Sequence, residues 1–203
     1  TIAGIEQADA LVLVGCNPRL EAPVLNARVR KRWIAGNFSV GVIGPEATLT
    51  YPATPIGTSA KDLEEIAAGK GDFAEVLNDA ERAMIIVGQG ALKGEDGAAV
   101  LNLARQAANK LGMIKAGWNG FNVLHTAAAR VGGLDLGFVP GEGGRDVAGI
   151  LAGAQSNEIN MVYLLGADEI DTQALGDAFV IYQGHHGDAG AHRADVILPG
   201  AAY

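Results

Sequence analysis

One cysteine, Cys16, stands in 203 residues. A single thiol closes no disulfide within the chain, which suits a reducing compartment. Nor can it hold an iron–sulfur cluster unaided, since such clusters take about four thiolates. No apolar run approaches the ~18 residues of a membrane-spanning helix. Basic residues are in the minority, 15 Lys and Arg against 23 Asp and Glu, for a net charge of −8. An acidic surface repels phosphate backbones, so nucleic acid is disfavoured as a partner. The one basic cluster is Arg28, Arg30, Lys31 and Arg32. It falls at the end of a helical pattern, where cations meet the negative end of the helix dipole. That reading is preferred to a docking patch.

Aromatics are scarce at 5%, while glycine is abundant at 29 residues and hydrophobic residues make up 49%. Glycine-rich sequence that still holds apolar runs points to many strand-to-helix turns rather than disorder. Three segments echo one another: Ala10-Leu-Val-Leu-Val-Gly15, Ala83-Met-Ile-Ile-Val-Gly88 and Met161-Val-Tyr-Leu-Leu-Gly166. Short continuous apolar runs suit strands buried on both faces, as in parallel sheets. Helical patterns follow the first two, over 23–33 and 98–111. Further strands are expected at 38–43, 179–182 and 196–198. Strands alternating with helices predict right-handed βαβ units in a doubly wound α/β sheet.

Residues 45–58, with three prolines, read as an ordered loop, and glycine-rich 132–144 as a second one. Gly69, Gly71 and polar neighbours mark a candidate lobe boundary near 70–82, giving lobes 1–75 and 76–203. The chain opens at Thr1 without methionine and stops after a strand-like run, so a piece of a longer polypeptide is expected.

In an open α/β sheet, ligands sit at the carboxyl ends of the strands. Gly15-Cys16-Asn17-Pro18 lies at such an end. There a glycine lets the backbone approach a phosphate, and Asn17 can shape the turn through its side chain. A plain strand-to-helix turn explains the motif equally well. Cys16 is read as a small buried residue rather than a redox sensor. His185, His186 and His192 cluster with Asp188 and Asp195, but their spacing matches no helical metal motif, so a hydrogen-bonded turn is expected. His125 is placed on a helix with no nucleophile nearby. Glu64-Glu65 and Asp168-Glu169-Ile170-Asp171 are read as solvated or helix-capping acids. Asp168 is the carboxylate of most interest, because it follows the third apolar run.

Ala10 to Arg19 and the following Glu-Ala-Pro-Val-Leu-Asn-Ala-Arg-Val-Arg-Lys closely resemble the large iron–sulfur subunit of respiratory complex I. So do Gly117-Trp-Asn-Gly-Phe-Asn-Val-Leu-His125 and Tyr163-Leu-Leu-Gly-Ala-Asp-Glu169. Ala194-Asp-Val-Ile-Leu-Pro199 is shared more broadly with molybdopterin enzymes. These stretches run from end to end of the chain. The resemblance implies a Rossmann-like domain descended from molybdopterin oxidoreductases. It also implies peripheral-arm complex I subunits as partners, with no membrane insertion. The location implied is the cytoplasmic face of a bacterial inner membrane or the mitochondrial matrix face. The iron–sulfur clusters are expected in a cysteine-rich part outside this chain.

Where molybdopterin enzymes tend to carry Asp-Pro-Arg, this chain reads Gly44-Pro45-Glu46. A carboxylate that would bond ribose is missing, and an acid stands in place of a cation. The expectation is a structural domain without cofactor, catalytic residue or metal. Its vestigial cleft would be marked by Gly15, Asn17, Asp168 and His185. The alternative is the pterin-binding part of a genuine molybdopterin oxidoreductase, such as a formate dehydrogenase-like enzyme. A central nucleotide-binding domain of a thiamine-diphosphate enzyme fits less well.

Overall fold

The computed structural model describes residues 1–127 and 129–202. The chain forms two compact units, Thr1–Arg130 and Val131–Tyr203.

The first unit is built on a five-stranded parallel sheet in the order β3-β2-β1-β4-β7. Its elements run β1 (Ala10–Val14), α1 (Pro18–Glu21), α2 (Pro23–Ile34), β2 (Ser39–Ile43), β3 (Thr54–Gly57), α3 (Ala60–Ala67), α4 (Asp72–Asp79), β4 (Ala83–Gly88) and α5 (Gly97–Lys110). Then come β5 (Ile114–Lys115), β6 (Trp118–Asn119) and β7 (Phe121–Leu124). Side chains alternate across β1. Ala10, Val12 and Val14 join a core with Leu63 and Ile66 of α3, Leu77 of α4 and Ala104 and Ala107 of α5. Leu11 and Leu13 join a second core with Val29 of α2 and Tyr51. Every residue of β1 and β4 is buried. Helices therefore cover both faces of these central strands, which is why their runs are apolar without alternation.

The division between units falls at Arg130/Val131, not near residues 70–82. β4 pairs with β1 in parallel register from Ala10↔Ala83 to Val14↔Val87, so residues on either side of the expected boundary share one sheet. The loop expected over 45–58 ends in an edge strand, β3, which pairs with β2. Pro55 is tolerated there because an edge strand leaves amides unpaired. β5 and β6 form a small antiparallel hairpin. It delivers Trp118, whose Nε1 donates to the Ala83 carbonyl at 2.8 Å.

The second unit contains α7 (Val147–Gln155), β8 (Met161–Leu165), β9 (Phe179–Gly184), α8 (Ala189–Arg193) and β10 (Val196–Pro199). Its three strands form a parallel sheet, β10-β9-β8. A short helix, α6 (Arg130–Asp135), crosses the division and takes up the start of the loop expected over 132–144. The third apolar run differs from the first two. Val162 and Leu164 are buried, while Met161, Tyr163 and Leu165 are exposed. The strand order increases in one direction, so right-handed crossovers lie on the same face. One face is packed by Ala154 of α7, Leu175 and Tyr182.

Candidate functional site

Two clefts open at the carboxyl end of the first sheet, where β1 is flanked by β2 on one side and β4 on the other. This is the point in an open α/β sheet at which ligands bind. The larger cleft, about 470 Å³, is lined by Gly15, Gly44, Thr58, Ser59, Gly90 and Asp96, among others. The smaller, about 170 Å³, includes Gly15, Cys16, Asn17, Glu21, Gly44 and Glu46 in its lining. Gly15, Gly44 and Pro45 belong to both. Of the expected cleft residues, Gly15 and Asn17 are thus brought together. Asp168 and His185 lie in the other unit, after β8 and β9.

Local chemistry explains the first pair. Gly15 takes φ +56°, and a Cβ there would lie 2.4 Å from that of Ala91. Asn17 caps α1, its Oδ1 accepting from Arg19 N at 3.1 Å. Asn17 N in turn donates to Glu21 Oε1 at 2.5 Å. Thr58 and Ser59 line the larger cleft, and Ser59 forms a capping box at the start of α3 with Asp62, which lines a neighbouring pocket with Thr54 and Ile56. Asp62 Oδ2 accepts from Thr58 N at 3.0 Å, Ser59 N at 2.8 Å and Ser59 Oγ at 2.7 Å. These bonds hold its carboxyl below the usual range, the Ser59 hydroxyl contributing most.

The lining is anionic. Asp96 faces the larger cleft, Glu21 and Glu46 the smaller, and among the described residues no Lys, Arg or His lines either one. Arg19, two residues beyond Asn17, is turned to the Thr48 carbonyl at 3.0 Å. A nucleotide diphosphate does not fit these linings. Carboxylates repel phosphate, no lining cation offsets them, and several loop amides already have acceptors.

Cys16 is 8% exposed, and its Sγ lies 3.8 Å from the Ile86 carbonyl. Burial, then the Glu21 carboxylate, pushes its thiol up to about 12. The basic cluster is engaged within the unit. Arg28 and Lys31 both reach Glu6, at 2.7 and 3.1 Å, and Arg32 donates to the carbonyls of Ala8, Gly36 and Asn37. Arg30 donates to the Thr50 carbonyl. His125 is not helical; it follows β7, because Phe121–Leu124 pairs with β4 as a strand.

In the second unit, the His185 and His186 rings lie 4.1 Å apart. Asp195 is drawn away to Val180 N at 2.8 Å and Arg193 at 3.6 Å. Among the described residues, no group of three or more His, Cys, Asp or Glu is arranged to hold a metal ion. Asp171 caps a 3₁₀ turn through Gln173 N. The Asp168 Cβ and the Tyr182 ring both lie against Gly190, and Asp168 Oδ2 is buried with no hydrogen bond among the described residues. Tyr182 is raised above the ordinary phenol range by burial, then by Asp168 and Asp188.

Sequence reasoning did not single out Thr58, Ser59, Gly90 or Asp96. A legible signal existed for one wall: Ser59-Ala-Lys-Asp62 has capping-box spacing ahead of an apolar helix. The Gly90 and Asp96 wall had none, because it depends on β4 pairing beside β1.

Over its whole length the chain is 44% identical to an NADH-quinone oxidoreductase subunit of Rickettsia bellii (strain RML369-C), covering 28% of that protein. It is 42% identical to the NADH-ubiquinone oxidoreductase 75 kDa subunit of Reclinomonas americana, covering 29%. It is 45% identical to the mitochondrial NADH-ubiquinone oxidoreductase 78 kDa subunit of Candida albicans (strain SC5314 / ATCC MYA-2876), covering 27%. The chain thus spans under a third of the length of these relatives. The sequence model of the molybdopterin oxidoreductase family matches residues 1–203, and the chain belongs to that family.

Proposed function

We propose that this chain is a structural, cofactor-free domain of the large iron–sulfur subunit of a proton-translocating NADH:quinone oxidoreductase. The complex oxidises NADH, passes the electrons to quinone and couples this to ion translocation. In this reading the domain is not catalytic by itself. It packs with other peripheral-arm subunits while the iron–sulfur clusters sit in another part of the polypeptide. It lies on the cytoplasmic face of a bacterial inner membrane or the mitochondrial matrix face. No helix among the described residues is long and apolar enough to cross a membrane.

End-to-end similarity to subunits of NADH-quinone and NADH-ubiquinone oxidoreductases supports the assignment to the complex. The observation that carries the cofactor-free part is the lining of the two clefts, three carboxylates and no cation among the described residues. The second reading, a genuine molybdopterin oxidoreductase, draws on the family match.

Native mass spectrometry with elemental analysis for molybdenum, tungsten, iron and zinc separates them. A bare polypeptide mass that also fails to take up added pterin nucleotide is the expected result. A tightly held pterin nucleotide, or stoichiometric molybdenum, would overturn the proposal and install the enzyme reading.

A further inference from the structure

Two backbone turns at the carboxyl edge of the first sheet carry the N–H groups that a bound phosphate would seek. One follows β1 and the other follows β3. Each is already answered by a carboxylate from the helix it leads into. Glu21, at the end of α1, reaches back to Asn17 N. Asp62, in the first turn of α3, accepts from Thr58 N, Ser59 N and Ser59 Oγ. A separate observation shows that the second arrangement is shaped by the backbone. Gly57 precedes this turn, and a Cβ built on it would lie 2.0 Å from Asp62 Cγ. The carboxyl group fills the volume that a side chain at that position would take.

We infer that Glu21 and Asp62 act as built-in anions, each occupying amides of a loop that lines a cleft, Asn17 for Glu21 and Thr58 and Ser59 for Asp62, and so withholding those amides from nucleotide phosphates. This rests on the cofactor-free reading above and supplies its cause. Charge and occupancy act together. A carboxylate accepting backbone N–H groups makes charge-assisted hydrogen bonds, which a phosphate must displace rather than add to. Asp96 and Glu46 then face an incoming anion with like charge and no cation in the lining described. Glu21 also helps to raise the Cys16 thiol, so its charge is felt inside the turn as well as at its rim.

The test compares binding of GDP, by equilibrium dialysis, and of inorganic pyrophosphate, by phosphorus NMR line broadening, to the full-length protein. Three forms are needed: wild type, the Glu21→Ala/Asp62→Ala pair and the Glu21→Gln/Asp62→Asn pair. The alanine pair uncovers the amides and is expected to bind both probes at least about tenfold more tightly than wild type. The amide pair keeps an acceptor oxygen over the same N–H groups but removes the charge, and is expected to bind more weakly than the alanine pair and more tightly than wild type. An alanine pair with wild-type circular dichroism and no gain overturns the inference while leaving the cofactor-free reading intact. Saturable GDP binding by wild type overturns both.

Should the alanine pair not fold, the wild-type protein still decides the matter. The amide resonances of Asn17, Thr58 and Ser59 are expected to move with carboxylate titration in acid and to ignore pyrophosphate at neutral pH. Amides that ignore the acid titration would show that no carboxylate occupies them.

Discussion

Cys16 sits where a strand-end turn could have activated a thiol, and its surroundings do the reverse. Desolvation, with the Glu21 carboxylate adding to it, carries the thiol from an ordinary 9.0 to about 12. At about pH 8, roughly a tenth of an unperturbed thiol is thiolate, against roughly one part in 10⁴ of a thiol at 12, so the reactive form is depleted about 1000-fold. The perturbation is addition of an aromatic disulfide at about pH 8, followed by absorbance of the released thiolate. Native protein is compared with protein in denaturing guanidinium. The native rate is expected to be at least about 1000-fold slower, since burial at 8% exposure also blocks approach. The same shift makes a linkage prediction. The folded state keeps its proton above 9.0 while the unfolded chain releases it, so this contribution to stability is intact below 9.0 and falls as pH rises towards 12. Cys16→Ala removes that fall. A native rate within about tenfold of the denatured rate, after dividing out the denatured thiol's own ionisation, would refute the buried-thiol reasoning and reopen a redox role.

Other perturbations probe the frame around the cleft. Tyr51→Phe strands the buried Asn26 Oδ1, which accepts from the Tyr51 hydroxyl at 2.9 Å; urea denaturation is expected to show a loss of about 1–3 kcal/mol, and no loss would mean water replaces the phenol. Gly15→Ala meets both a positive φ and the Ala91 backbone, and is expected to destabilise by at least ~1–3 kcal/mol, with wild-type melting behaviour as the refuting result. Asp62→Ala removes a carboxylate whose folded titration lies below its ordinary 3.8. Its contribution to stability is present above 3.8 and is lost as pH falls through the lower folded value, so wild-type and variant stabilities should differ at neutral pH and converge in acid. Parallel curves down the acid limb would contradict that. Leu13→Ala, at a fully buried position in β1, is expected to cost about 2–5 kcal/mol in the same denaturation assay.

The parallel sheet was legible because β1 and β4 are buried on both faces and so carry no alternation to confuse with a helix. Met161–Leu165 carries the same continuous signal, yet only Val162 and Leu164 are buried. Composition reports what a strand can bury, not what packs against it. The lobe boundary was misplaced for a related reason. Glycines near residue 70 mark turns around α3 and α4, and only the Ala10↔Ala83 register shows that the chain returns to the same sheet. Gly15 and Asn17 were found from a local motif, while Asp96 and Gly90 reach the cleft through strand order, a long-range fact. His125 went astray because Phe121–Leu124 is short enough to read either way.

The glycines themselves argue for the same separation between fold and ligand. A Cβ on Gly88 would lie 2.3 Å from the Cβ of Cys16 and 2.5 Å from the Gly15 carbonyl oxygen. One on Gly90 would lie 2.9 Å from that same oxygen. The turns after β1 and β4 therefore approach each other too closely for any side chain. At the ends of β1 and β4, backbone packing alone accounts for Gly15, Gly88 and Gly90. A glycine pattern of this kind in sequence therefore does not by itself report a dinucleotide site. Substitutions at Gly15 or Gly88 should accordingly register in stability whether or not a nucleotide is present, whereas substitutions at Glu21 and Asp62 are the ones that should register in anion binding.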